Sequence, residues 1–214
     1  MKIVGQIAVS KFPMFENTLR KLSENVDEIY LRFDNNNGDK SLLKNLDSIS
    51  NNKVKDILYS NQVWDTSSWR EEMLRMLDSV KPNLVLSVDQ DEIFEDSIKT
   101  EMLDFYNSDK LGMMFSYIEP MPTDDGSIIL GGKAYPLHPH MKAYKWKPGL
   151  TYLPYYGNAK IRSYSSPRDW YMAKTKIYHY SLYKKEWRVE KESFIKKFWG
   201  ISYFQKLYKK TGIH

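Results

Sequence analysis

The chain has 214 residues, 42% of them hydrophobic, which suits one globular domain with a sizeable core and leaves too little length for two full α/β domains. It has no cysteine, which excludes disulfides, a thiolate metal site and a cysteine nucleophile, and fits a reducing compartment. The net charge of +5 is uneven: from His179 to His214 nine Lys/Arg face three Asp/Glu, while the rest of the chain holds 23 against 24, so a near-neutral body precedes a basic end.

In chain order, Lys2 to Val9 reads as a first strand, and Glu16 to Val26 has helical spacing through Leu19 and Leu22. Asp27 to Phe33 reads as a second strand, 34–39 as a turn-rich loop and Ser41 to Ile49 as a second helix. Lys53 to Tyr59 is the third predicted strand. Ser68-Trp69-Arg70-Glu71 has capping-box spacing ahead of a helix carrying Met73, Leu74 and Leu77, which Pro82 ends. Leu84 to Val88 is apolar without alternation, as a strand buried on both faces of a parallel sheet would be. Four β-α units of this kind indicate a doubly wound α/β half-domain. Beyond Phe94 the spacing predicts a helix over Asp96 to Tyr106 and a strand over Leu111 to Tyr117. A segment dense in Pro, Gly, Tyr and Trp then runs to Trp170, and long loops of that sort carry function, here expected to be acceptor recognition.

The buried strand at 84–88 ends in Asp89-Gln90-Asp91-Glu92. Carboxylates at the carboxyl edge of an open α/β sheet stand where such sheets bind ligands, and a diphosphate can approach them only with a divalent cation between. The competing reading is a polar cap on a buried strand, since short acidic motifs recur by chance.

The strand ending in Asp34, the helix opening with Trp69-Arg70-Glu71-Glu72, the acidic strand end and the late Ile177-Tyr178-His179-Tyr180 together resemble glycosyltransferase family 2 and its relatives of the A-type fold. The resemblance covers about residues 1 to 183. It implies a single Rossmann-like α/β domain with a mainly parallel central sheet, divided into a nucleotide-binding half (1–95) and an acceptor half (96–183), with 184–214 as an amphipathic helical tail. It implies a metal-dependent transferase that moves a sugar from a nucleotide-diphosphate sugar, expected to be UDP-linked, to an acceptor hydroxyl in glycan or surface polysaccharide synthesis. By position, Ser10 and Phe12 would flank the base, Asp34 would accept from it and Arg70 would lie near the nucleotide. Asp89 would contact the ribose or the cation, Asp91 would ligate the cation and His179 would complete its protein ligands. A hard cation, Mg²⁺ or Mn²⁺, suits this set, the imidazole favouring Mn²⁺.

The acceptor half lacks the acidic pair usual in the family, so the candidates for the base that deprotonates the acceptor are Asp169, favoured because the adjacent aromatic could stack on a sugar face, and Glu119. Trp146, Tyr155 or Tyr156, and Trp170 beside Asp169 are the candidate sugar platforms. Each residue also has a plain reading: Asp34 as a turn former, His179 as a satisfied core histidine, the aromatics as cover for the core, and His138 and His140 as surface residues of a loop. Asp124 and Asp125 precede a glycine and suit a tight turn.

As a helix, the tail would align Phe194, Phe198, Ile201, Phe204 and Tyr208, with Lys196, Lys206, Lys209 and Lys210 around the remainder. That stripe is expected to pack on the domain or on a second subunit of a homodimer, with membrane-surface contact and nucleic acid as the alternatives. Met1 to Ser10 lacks the pattern of a signal peptide, and no apolar run reaches spanning length, so the expected location is cytoplasmic, with the tail as the route to the inner membrane surface. Other functions in view are sugar transfer to modified bases of viral DNA and a non-catalytic nucleotide-sugar or glycan-binding module. A nucleotidyltransferase is disfavoured because Ser10-Lys11-Phe12-Pro13 stands where a Gly-rich, lysine-containing loop would follow the first strand.

Overall fold

A computed structural model of the chain describes residues 1–11, 14–61, 68–122, 128–131, 140–152, 161–164 and 166–180. It is an α/β domain. The strands are β1 (Ile3–Val9), β2 (Glu28–Asp34), β3 (Val54–Ser60), β4 (Leu84–Asp89), β5 (Glu92–Phe94), β6 (Gly112–Pro122), β7 (Ile128–Gly131), β8 (His140–Lys145) and β9 (Trp170–His179). The α-helices are α1 (Phe15–Asn25), α2 (Leu46–Ser50), α3 (Ser68–Met76) and α4 (Ile98–Asn107). Along the sheet the order is β3-β2-β1-β4-β8-β6-β9-β5, with β7 added to β6. Six of those eight strands point the same way, while β8 and β5 oppose them.

The amino-terminal half follows the expected β-α alternation, and its side chains show why. Odd positions of β1 (Ile3, Ile7, Val9) join Leu84, Leu86 and Val88 of β4 in a core under Phe15, Leu19 and Leu22 of α1. Even positions face the other way, where Val4 and Val85 meet Leu74 and Leu77 of the α3 segment. A strand buried on both faces has no reason to alternate, and none of the seven residues of β1 is exposed. The predicted second helix is instead broken: a 3-10 turn spans Lys40–Leu43, and Asn45 takes a left-handed φ of 64° before α2 begins. A left-handed residue cannot continue a right-handed helix, and Asn tolerates it better than most. The α3 helix likewise stops at Met76, well before Pro82, with Lys81 left-handed at φ 50°.

The carboxyl half bends the sheet. Glu92 is only three residues on from Asp89, a reach of at most about 11 Å, yet β5 lies four strand spacings from β4, about 19 Å on a flat sheet. The sheet therefore curls until its far end returns to β4. Both irregularities that accompany the curl fall in β6, between Met113 and Met114 against β8 and between Met114 and Ser116 against β9. Bulges of this kind bend a strand and increase its twist. Where β5 is too short to cover β9, carboxylates of the α4 region stand in for a strand: Glu101 accepts from the Thr175 amide at 2.7 Å and Glu95 from the Lys176 amide at 2.9 Å.

The loop after β2 closes on Gly38, whose amide donates to the Asp34 carbonyl at 2.7 Å. A Cβ there would stand 2.2 Å from that carbonyl oxygen and 2.3 Å from the Phe33 ring. Gly38→Ala should therefore cost about 1–3 kcal/mol of stability, read as a lower midpoint in urea unfolding; an unchanged midpoint would show that the loop opens freely.

Candidate functional site

The ends of β1, β2, β4, β6 and β9 and the beginnings of β5 and β8 meet at one edge of the sheet, because the two antiparallel strands enter where the others leave. The curl then points their side chains at one another. Asp89 ends β4, Glu92 opens β5, Tyr117 and Glu119 lie late on β6, His140 and Lys142 open β8, and His179 ends β9.

Asp89 carries the densest contacts. Its carboxylate accepts from Lys142 Nζ at 2.6 Å and from Arg70 Nη2 at 3.3 and 3.4 Å, while its amide donates to Glu92 Oε2 at 2.9 Å. Arg70 also donates to Ser87 Oγ at 3.3 Å, since Ser87 and Asp89 share one face of β4, and its guanidinium lies 4.3 Å from the Trp69 ring centre. Burial works to raise the Asp89 pKa, but Lys142 and Arg70 overcome it and hold the carboxyl well below the ordinary carboxylate range. Glu92, only 1% exposed, accepts from Lys142 Nζ at 2.8 Å and from the Tyr117 hydroxyl. Burial pushes its pKa up, against the pull of Lys142.

The second group lies beside the first. Asp91 Oδ2 is 3.3 Å from His179 Nε2, and Glu119 Oε1 is 3.2 Å from His179 Nδ1, so the imidazole bridges two carboxylates. The Tyr180 amide donates to the Asp91 carbonyl at 2.8 Å and fixes the turn against the end of β9. His140 stacks on Tyr117 at 4.1 Å between ring centres. Burial, then Lys142 and His179, depress the His140 pKa to about 3, with Asp89 opposing.

Of the expected site residues, Asp89, Asp91, His179, Arg70 and Glu119 are brought together. Ser10 is adjacent, exchanging two hydrogen bonds with the Gln90 amide at 2.8 and 2.9 Å. Asp34 is 2% exposed and its carboxylate accepts from the Asn36 amide at 2.9 Å and Asn37 Nδ2 at 3.1 Å, the pattern of a turn former. Asp169, Trp170 and Trp146 are not brought in. Asp169 precedes β9, roughly 30 Å along that strand from His179, and Trp146 follows the far end of β8, its amide bonded to the Asn83 carbonyl at 3.3 Å. Both tryptophans pack against the α3-side core, so they cover apolar surface at the opposite edge. Phe12, Tyr155, Tyr156, Asp124, Asp125, His138 and the 184–214 tail lie outside the described residues.

Two residues of the site, Tyr117 and Lys142, were not singled out from the sequence; Glu92 was named only as part of the acidic strand end, and His140, read with His138 as a surface loop residue, instead opens β8 and stacks on Tyr117. The signal for Lys142 is a lysine flanked by Met141 and Ala143 in a short apolar run, where a buried ammonium needs a carboxylate partner.

Among the described residues no three His, Asp or Glu side chains are arranged to hold a metal between them. The pair Asp91–His179 nonetheless fits a two-ligand cation site, because adjacent ligands of an octahedral ion with bonds of about 2.1 Å lie about 3 Å apart. Glu119 on the other ring nitrogen is the partner that orients a ligating histidine. Among the described residues the carboxylates of the cluster, Asp89, Asp91, Glu92 and Glu119, outnumber their Arg and Lys partners, Arg70 and Lys142.

Fold and edge cluster define a single Rossmann-like α/β domain with a mainly parallel, curled sheet. No known protein family and no curated protein sequence matches the chain. Among solved structures it is similar to HddC from Yersinia pseudotuberculosis (14% identity, 91% of this chain and 100% of that one, TM-score 0.49). It is also similar to S. aureus TarS 1–349 (17% identity, 68% of this chain, 47% of that one, TM-score 0.46). A third is the mannosyltransferase PcManGT from Pyrobaculum calidifontis in complex with GDP-Man and Mn²⁺ (10% identity, 53% and 35% coverage, TM-score 0.45). The similar structures include a nucleotidyl-transferring enzyme as well. These are likenesses of chain course and not of activity. No helix among the described residues is long and apolar enough to cross a membrane.

The half-buried His140 gives a pH test. Its ordinary pKa is 6.5 and its folded one about 3, so between these values only the unfolded chain takes the proton. Its contribution is whole above pH 6.5 and is lost as pH falls toward 3. Going from pH 7 to pH 5 should cost about 2 kcal/mol through this group. His140→Phe keeps a ring on Tyr117 and removes the titration, so urea unfolding at the two pH values should differ less by about that amount; equal losses in variant and wild type would refute the assignment.

Proposed function

We propose that the protein is a metal-dependent glycosyltransferase that moves a sugar from a nucleotide-diphosphate sugar, UDP-linked in our reading, to an acceptor hydroxyl of a glycan or surface polysaccharide. The observation that carries this reading is the Asp91–His179 pair, 3.3 Å apart at the carboxyl edge of the sheet and backed by Glu119. A divalent cation held by that pair would neutralise the departing diphosphate. Asp91 and His179 Nε2 would hold the cation, Glu119 on Nδ1 would orient the imidazole, and Asp89 is an ionised acceptor fixed by Lys142 and Arg70. In this reading Asp89 serves the ribose rather than the cation, because its oxygens already face two protein cations. Ser10 lies with Gln90 at the mouth of the site, where the base would enter.

Glu119 is the base candidate at the site, while Asp169 is at the other edge. Since Glu119 already accepts from or donates to His179 according to its protonation, a binding module without catalysis is the second reading. The two part on turnover: a module binds sugar nucleotide with metal and neither hydrolyses nor transfers it.

Titration calorimetry with nucleoside diphosphates and sugar nucleotides, with and without Mn²⁺, tests the site. Asp91→Ala and His179→Ala should each lose at least about tenfold in metal-dependent affinity. If neither loss is seen, or no nucleotide binds wild type, the acidic edge is a capped strand end. For turnover, Glu119→Gln should lower kcat while Asp169→Asn leaves it unchanged; the reverse pattern would move the base to the far edge.

A further inference from the structure

Lys142 is the least expected member of the cluster. It stands on β8, is 2% exposed, and places its Nζ 2.6 Å from Asp89 Oδ2 and 2.8 Å from Glu92 Oε1. Both carboxylates have further donors: Arg70 reaches Asp89, the Tyr117 hydroxyl shares Glu92 Oε1 with Lys142, and the Asp89 amide holds Glu92 Oε2. The oxygens of Asp89 and Glu92 thus converge on one buried point from two strands that the curl brings together. Carboxylate oxygens are the ligands a hard cation takes. Here the point is filled by an ammonium delivered on a four-carbon stem from a third strand.

We propose that Lys142 is a tethered cation, a positioning residue whose ammonium occupies the place a divalent ion would take between Asp89 and Glu92. The proposal concerns the inner carboxylates and does not depend on the sugar-transfer reading. It has two consequences. Asp89 is ionised and oriented with no metal present, since its counter-charge is part of the chain. The inner carboxylates are also withheld from exchangeable metal, so any ion the protein takes up is left to the outer Asp91–His179 pair.

The test counts ions without nucleotide. Mn²⁺ bound per chain is measured from the loss of the free-ion electron paramagnetic resonance signal, for wild type and Lys142→Met, alongside thermal melting with and without Mn²⁺. The expected result is one more Mn²⁺ per chain in Lys142→Met than in wild type, with a melting temperature that Mn²⁺ raises in the variant more than in wild type. An equal count, no added metal-dependent shift, or a variant that stays insoluble in Mn²⁺ as in its absence overturns the proposal. A double variant, Lys142→Met with Glu92→Gln, removes one charge of each sign. It should fold and bind no extra ion; an extra ion, or instability equal to the single variant, would mean that the lysine stem matters and not its charge. Because the count is a difference between variant and wild type, failure of the outer metal site leaves this outcome readable: wild type would then bind none and Lys142→Met one.

Discussion

The short connection between β4 and β5 is the constraint on which the rest of the structure depends. Asp89 ends a strand in the middle of the sheet, and Glu92, three residues on, begins a strand at its far end. A flat sheet cannot accommodate that, so β8, β6 and β9 must arch between them, with the bulges of β6 supplying the bend. The arch turns the side chains of five strands toward a common interior. A parallel sheet without this feature would present its terminal carboxylates to solvent in a row; this one folds them against each other.

Gathering that much charge is costly, and the contacts show how the cost is met. Isolated buried ions are disfavoured by several kcal/mol each even after relaxation, yet every carboxylate of the cluster has a donor within hydrogen-bonding reach. Removing one partner of such a group typically costs about 3–5 kcal/mol, whereas an exposed pair such as Arg75 with Asp78 contributes about 1 kcal/mol or less. The network therefore does not explain why the domain is stable; the two apolar cores on the sheet faces do that. It explains why the carboxyl edge has one arrangement. Arg70 is set by Trp69, Ser87 and Asp89 at once, and Lys142 by two strands, so neither can shift without leaving a buried charge unpaired.

How much of this could be read in advance follows from the range of the interactions. The strands β1 to β4 and the helices α1, α3 and α4 were legible because their signals are local: apolar runs, 3.6-residue spacing and turn residues. The second helix was misjudged for a local reason too, since Asn45 adopts a left-handed φ that composition does not reveal. Asp89 and Asp91 were named together because they follow an apolar strand, His179 joined them through the resemblance, and the structure brings the three together. Lys142 and Tyr117 were not legible, and His140 was read as a loop residue, because their meaning arises from β8 entering the sheet between β4 and β6, with its partners on β4 more than fifty residues away in sequence. Asp169 and Trp170 were adjacent in sequence to that same late strand, but at its beginning. Strand direction, which sequence spacing leaves open, decides that His179 reaches the carboxyl edge and Asp169 the other.

Direction also divides the labour within the site. The amino-terminal half contributes acceptors already committed to the protein: Asp34 to its own loop, Ser10 to Gln90, Asp89 to Lys142 and Arg70. The later strands contribute the imidazole, whose two nitrogens face two different carboxylates. A neutral imidazole can donate on only one nitrogen and accept on the other, so one of those carboxylates has no proton to share with it unless the ring is charged. A charged ring donates on both nitrogens, so a protonated His179 would satisfy Asp91 and Glu119 together. Two carboxylates around one ring call for positive charge at this edge, and the ring's own second proton supplies it as well as a bound cation would.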